Sequence, residues 1–312
     1  MLRLFSVIFV IVVLSACGDK GLTPGEGYVD VEGGRVWYRV VGSGSEIPLL
    51  LLHGGPGAPS YYLNPLEQVS VDRPVIFYDQ LGAGRSERPT DESLWTVNRF
   101  VNELAEVREA LGLDNVHILG HSWGSMLAID YMLTKPEGVQ SLILASPALS
   151  VRRWAEDADR LIAQLPVGLQ QAIERHEAAG TTDDPEYQEA TMEYYKRHLS
   201  RSDPWSEDLQ LAFENLNPDI YGLMWGPSEF TATGTLKNYE REDVLPNLDL
   251  PVLFTVGRYD EATPETVQYF QGLVPGSKIA IFENSAHMTM LDEPQSYTDT
   301  VRQFLNEVDS NR

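Results

Sequence analysis

The chain has 312 residues, 43% of them hydrophobic and 10% aromatic, enough for one large core or a core carrying an inserted subdomain. That composition excludes a disordered chain, a coiled coil and a multi-pass membrane protein. A formal charge of −23 argues against nucleic acid and against anionic lipid headgroups as partners, since like charges repel.

The first sixteen residues read as a targeting segment. Arg3 precedes Leu4 to Leu14, a stretch apolar except for Ser6, too short to span a bilayer comfortably but suited to a secretory signal. "LSAC", 14–17, resembles the bacterial lipobox, after which the cysteine is lipidated. The expectation is a signal peptide over 1–16, then a lipidated Cys17 and a flexible tether over 17–27. Acyl chains contribute about 0.8 kcal/mol per buried CH₂, so several on one residue anchor stably. That places the protein on the bacterial cell envelope, facing periplasm or exterior, with the membrane touched only through the anchor. Cys17 is the only cysteine, so the mature chain forms no internal disulfide.

"YVDVEGGRVWYRVVG" alternates around Gly33-Gly34 and predicts an opening hairpin. Apolar runs then recur at 47–57, 74–86, 116–124, 139–147, 251–260 and 278–287, each running into a loop of polar or glycine residues. Runs without alternation are what a parallel sheet covered on both faces requires. Helical patterns lie between them, as at Val97 to Leu111 before Gly112, so a mostly parallel, doubly wound α/β fold is expected. From 149 to 240 the chain is rich in Trp, Glu, Arg and Tyr and lacks a buried-strand run. It reads as a helical cap between the sixth and seventh strands, dividing the core into 28–148 and 241–312.

Gly120-His121-Ser122-Trp123-Gly124 sits between an apolar strand and a helix and matches the G-x-S-x-G nucleophile elbow. The serine adopts a strained backbone to project its hydroxyl above the sheet, and side chains at the flanking glycines would clash. A serine hydroxyl needs a base, and the base an orienting acid, in the chain order Ser, acid, His. Asp260, just after one strand, and His287, after the last, supply them. The oxyanion donors are expected to be the N–H of Trp123 and of Gly55 in "HGGPG". His53, Asp79 and Arg85 read as structural. "GAGRSE" lacks a dinucleotide fingerprint and "HEAAG" lacks the second histidine of a zinc helix, so neither a metal nor an organic cofactor is expected.

"HGGPG", "YDQLGAGRS", "LGHSWGS", "GRYDEATP" and "SAHM", in this order, resemble the proline iminopeptidases (prolyl aminopeptidases) and the related tricorn-interacting aminopeptidases of the α/β-hydrolase fold. "YYKRHLSRSDPW" and "YGLMWGPSEFTATGTLKNYE" resemble that family's cap motifs. The resemblance implies release of an N-terminal residue, often proline, from short peptides or aminoacyl substrates with a free N-terminus. It also implies cap glutamates that hold the substrate's amine: Glu229 in "GPSEF", and Glu193 ahead of "YYKRH" as a second. Trp225 and Phe230 belong either to an apolar pocket wall or to the cap core. Two alternatives stay open: an esterase, lactonase or amidase of the same fold, and a non-catalytic, surface-anchored binding protein.

Overall fold

The computed structural model describes residues 22–311; the expected signal peptide and Cys17 lie outside them, and the expected tether over 17–27 is corrected at its end, where Gly25, Glu26 and Gly27 pair with Val40, Arg39 and Tyr38 in the sheet. Among the described residues, eight strands form one sheet in the order β1-β2-β4-β3-β5-β6-β7-β8. Strands β1 (Gly25–Val31) and β2 (Gly34–Val41) make the antiparallel hairpin at one edge, and β2 pairs antiparallel with β4 (Val75–Tyr78). From β4 onward every pairing is parallel, through β3 (Leu49–Leu52), β5 (Val116–His121), β6 (Val139–Ala145), β7 (Val252–Gly257) and β8 (Lys278–Phe282). Every residue of β3, β4, β5 and β7 is buried, which is why these runs do not alternate.

Two apolar clusters flank the sheet. One packs helix α1 (Val97–Ala110) and helix α2 (Trp123–Leu133) on one face, through residues such as Leu104, Val107 and Met126. The other packs the 3-10 segment Ser60–Val71 and the last helix on the opposite face, through Leu63, Leu66, Val301 and Leu305.

Between β6 and β7 the chain runs through α3 (Val151–Ile162), α4 (Val167–Ala179), α5 (Pro185–His198), α6 (Glu207–Glu214) and α7 (Pro218–Met224). A backbone bridge from Ser150 to Glu240 closes the base of this insert. After β7 come α8 (Pro264–Leu273), then β8, the short α9 (Thr289–Asp292) and α10 (Pro294–Ser310). No described helix is long and apolar enough to cross a membrane.

Candidate active site

The carboxyl ends of the parallel strands converge beneath the insert. Ser122 follows β5 directly, with φ +54° and ψ −120°. For a residue bearing Cβ this region is strained by about 1–3 kcal/mol, tolerated because strand and helix fix both sides of the turn. The flanking glycines are obligatory: a Cβ on Gly120 would lie 2.3 Å from Gly124 O, and one on Gly124 would lie 2.2 Å from Leu52 O. Trp123 opens α2, so its N–H has no intrahelical acceptor and lies at the positive end of the helix. Gly55, at φ +108°, lines the same cavity as Ser122.

Asp260 and His287 are brought together although 27 residues separate them. His287 Nδ1 donates to Asp260 Oδ1 at 2.8 Å, which leaves Nε2 as the basic nitrogen facing the site. Asp260 is itself pinned: Oδ1 accepts from Ala262 N–H at 2.9 Å, and Oδ2 from the Ser146 hydroxyl at 2.7 Å and Gly257 N–H at 3.3 Å. The His287 carbonyl accepts from His121 Nε2 at 3.0 Å and lies 3.2 Å from the Ser146 hydroxyl, whose single proton goes to the nearer Asp260 Oδ2. Burial, then the neighbouring His287, holds His121 well below the usual imidazole pKa, so it stays neutral. Its Nδ1 therefore accepts from the Tyr62 hydroxyl at 3.0 Å, which in turn accepts Gly54 N–H at 2.5 Å. Ser122 and His287 both line a cavity of about 440 Å³. No hydrogen bond joins the Ser122 hydroxyl to His287 among the described residues; nucleophile–base contacts of this kind commonly tighten only in a substrate complex.

Two buried carboxylates lie near His287. Glu229, in the loop after α7, opens onto the cavity beside Tyr195 and Tyr221. Burial raises its pKa, although the nearby His287 and the Tyr221 hydroxyl pull the other way. Glu261 is 1% exposed and its Oε1 lies 3.9 Å from His287 Nε2. Neither of its oxygens has a hydrogen-bond partner among the described residues. Burial, then the charges of Glu229 and Asp260, push its pKa well above the usual glutamate range. Sequence reasoning missed Glu261, which reads there as the second residue of a helix-start motif. The available signal was a second acid directly after the strand-end acid Asp260 in "RYDEATPE".

Three candidate site residues are absent from the cavity wall: for Glu193 this departs from the expectation, and for Trp225 and Phe230 it favours the cap-core alternative. Glu193 does not reach the cavity: it pairs with Arg197 one turn on, at 2.8 Å, on the half-exposed face of α5. Trp225 is in the cap core, 5.5 Å edge-on to Trp154, with its indole N–H given to the carbonyls of Ser228 and Glu229. Phe230 packs 4.8 Å from Tyr194 and 6.1 Å from Tyr187 and does not line the cavity. The apolar wall is built instead by Leu209, Ala212, Phe213, Leu216 and Met288. Asp79 is structural, its carboxylate holding Ser60 and Arg85 at 2.7 to 3.2 Å.

His176, Asp184 and Glu186 bring possible metal-ligating atoms within 4.8 Å of one another on the cap. Each is already engaged: Glu186 pairs with Arg175, Asp184 caps α5 through Glu186 N–H at 2.9 Å, and His176 Nδ1 meets Thr181 at 2.8 Å.

A strained serine elbow at the centre of a mostly parallel sheet, with a His–Asp pair on the next loops, defines an α/β hydrolase. Residues 47–294 match the α/β-hydrolase fold family. A proline iminopeptidase of Heyndrickxia coagulans is 48% identical over 288 residues, covering 91% of this chain and 99% of the relative. The crystal structure of a proline iminopeptidase from Mycobacterium smegmatis is 36% identical with a TM-score of 0.85, covering 92% of this chain and 99% of that one. The crystal structure of VinJ is 37% identical with a TM-score of 0.88, covering 92% and 100%. The chain belongs to the proline iminopeptidase family, serine hydrolases of the α/β-hydrolase fold.

Proposed function

We propose that the protein is an aminopeptidase that releases an N-terminal residue, proline by preference, from short peptides through Ser122, His287 and Asp260. The observation that carries this reading is a pair of buried carboxylates, Glu229 and Glu261, set beside the His287–Asp260 pair. Two such groups raise each other's pKa by repulsion, and a cation between them relieves both at once. A substrate's α-ammonium is such a cation. Seated there beside His287, it would bring the first carbonyl toward Ser122, which lines the same cavity as Glu229.

The chemistry follows. His287 Nε2 takes the Ser122 proton as Oγ attacks the carbonyl, and Asp260 stabilises the imidazolium. The Gly55 and Trp123 N–H groups receive the oxyanion, each worth about 2.7–4 kcal/mol in the transition state. His287 then protonates the departing amine, and water, deprotonated by the same nitrogen, hydrolyses the acyl-serine. Comparing a proline arylamide with its N-acetylated form tests the substrate assignment. An aminopeptidase loses nearly all turnover on the blocked compound, whereas equal turnover would make the protein an esterase or amidase of this fold. Failure of a fluorophosphonate to label Ser122 would instead leave a non-catalytic binding protein.

For location we propose a lipid anchor at Cys17, on the strength of the apolar run Leu4 to Leu14 and the adjoining "LSAC". Expressed in a bacterium, the full chain should partition with membranes and incorporate labelled palmitate. Cys17→Ala should move it to the soluble fraction, and an unchanged distribution would sink the anchor.

A further inference from the structure

Gln80 sits two residues beyond β4, 1% exposed and absent from the cavity wall. Its side-chain amide nonetheless joins the two segments assigned above to the oxyanion. Nε2 donates to the His53 carbonyl at 3.1 Å, and Oε1 accepts the Trp123 indole N–H at 2.8 Å. The Gln80 backbone N–H donates to His53 Nε2 at 2.8 Å, while His53 Nδ1 donates to the Gly54 carbonyl at 2.9 Å. Burial lowers the His53 pKa, in keeping with a neutral ring that accepts at one nitrogen and donates at the other. His53 and Trp123 are 0% and 1% exposed, so water cannot replace these bonds.

The amide's orientation is dictated by its neighbours, since an indole N–H only donates and a peptide carbonyl only accepts. A neutral side chain with a donor at one end and an acceptor at the other is required. Glutamate would turn an oxygen against the His53 carbonyl, and methionine would leave both partners unsatisfied. The residue is also firmly mounted, because Asp79 just before it is fixed by Ser60 and Arg85.

We infer that Gln80 is a positioning residue for the oxyanion hole, a strut that sets the spacing between the glycine loop 53–55 and Trp123. It touches neither substrate nor reacting atoms. Its contribution is to keep two N–H groups aimed at a position occupied by charge only in the transition state. The inference rests on the serine-hydrolase reading above, so Ser122→Ala is the first control. Residual turnover in that variant would overturn the parent reading rather than this one.

Given an inactive Ser122→Ala, Gln80→Met is assayed on a proline arylamide and on an activated ester. A displacement near 1 Å at the reacting atoms costs about 100-fold, so kcat should fall roughly 10- to 100-fold on both, with KM nearly unchanged. A prolyl boronate, whose tetrahedral oxygen occupies the hole, should bind more weakly in step with kcat, while free proline binds as before. Gln80→Glu, which keeps an acceptor for the Trp123 indole N–H but turns an oxygen against the His53 carbonyl, keeps the test decisive if Gln80→Met does not fold. Its kcat should fall about fivefold or more, again with KM held. Retention of kcat within twofold in the folded variant, or a loss confined to KM, overturns the inference.

Discussion

Glu261→Gln changes activity and stability in opposite directions. If the substrate ammonium is held between Glu229 and Glu261, removing one charge breaks a buried ionic contact, which costs about 3–5 kcal/mol. At about 1.36 kcal/mol per decade, kcat/KM on a proline arylamide should fall by roughly two to four decades. The ratio of free-amine to N-acetyl turnover should collapse with it. The free enzyme, by contrast, is relieved of a buried carboxylate that no hydrogen bond satisfies. A gain of about 1 kcal/mol at pH 8 corresponds to a Tm rise of about 2–4 °C. The pH dependence has a definite sign. Glu261 has an ordinary pKa of 4.5, raised in the fold by burial and then by Glu229 and Asp260, so the folded state binds the proton more tightly than the unfolded. The contribution of Glu261 to stability is therefore fully present below 4.5 and is lost as pH climbs from there through the raised folded value. Glu229, raised by burial, acts in the same sense. Glu261→Gln should flatten this decline, read as Tm against pH from 4 to 8. A variant with kcat/KM within about threefold of the parent, or an unchanged amine preference, refutes the reasoning.

Asp260→Asn should lower kcat by about 10⁴, because the imidazole loses the acceptor that fixes its tautomer. Tm should fall too, since the amide cannot accept from all the donors that Asp260 now satisfies; steady-state kinetics and calorimetry read the two effects. Gly124→Ala places a methyl 2.2 Å from Leu52 O and 2.9 Å from His53 O, where ordinary contact begins near 3.4 Å. The backbone beside the oxyanion loop must then yield by about 1 Å, so kcat should drop about 100-fold with a lowered Tm. Glu193→Gln should leave kcat/KM within twofold and Tm within about 2 °C, because a half-exposed pair with Arg197 contributes at most about 1 kcal/mol.

The sheet was legible because burial on both faces leaves no polar alternation to confuse with anything else. The elbow was legible because backbone sterics, not side-chain chemistry, select its glycines. The order of Ser122, Asp260 and His287 along the chain placed each at a strand end, and the fold brings those ends together. The cap was harder. Trp225 and Phe230 lie in or beside the loop after α7, where no periodicity tells an inward ring from one facing the cavity. Glu193 carried a readable warning, an arginine four residues on along a helix, and that partner claims it. Glu261 was hidden by proximity, since a strand-end acid already had a role and the next acid resembled the start of α8.

The cap meets the core at the catalytic loops themselves. Trp154 of α3 gives its indole N–H to the Glu229 carbonyl at 2.8 Å and packs edge-on against the His287 ring at 5.7 Å. The His198 and Leu199 carbonyls, at the end of α5, accept from the N–H groups of His287 and Met288 at 3.1 and 2.8 Å. Asp157 of α3 accepts from Thr263 at 2.8 Å, three residues beyond Asp260. The proposed seat for the amine and the proposed base, His287, are therefore parts of one packed unit, not a lid resting on independent loops. Binding energy from the amine can then be realised as alignment at the reacting carbonyl rather than as affinity alone. A substrate that lacks the amine should accordingly lose kcat as well as KM, and one that loses only KM would separate the two halves of the site.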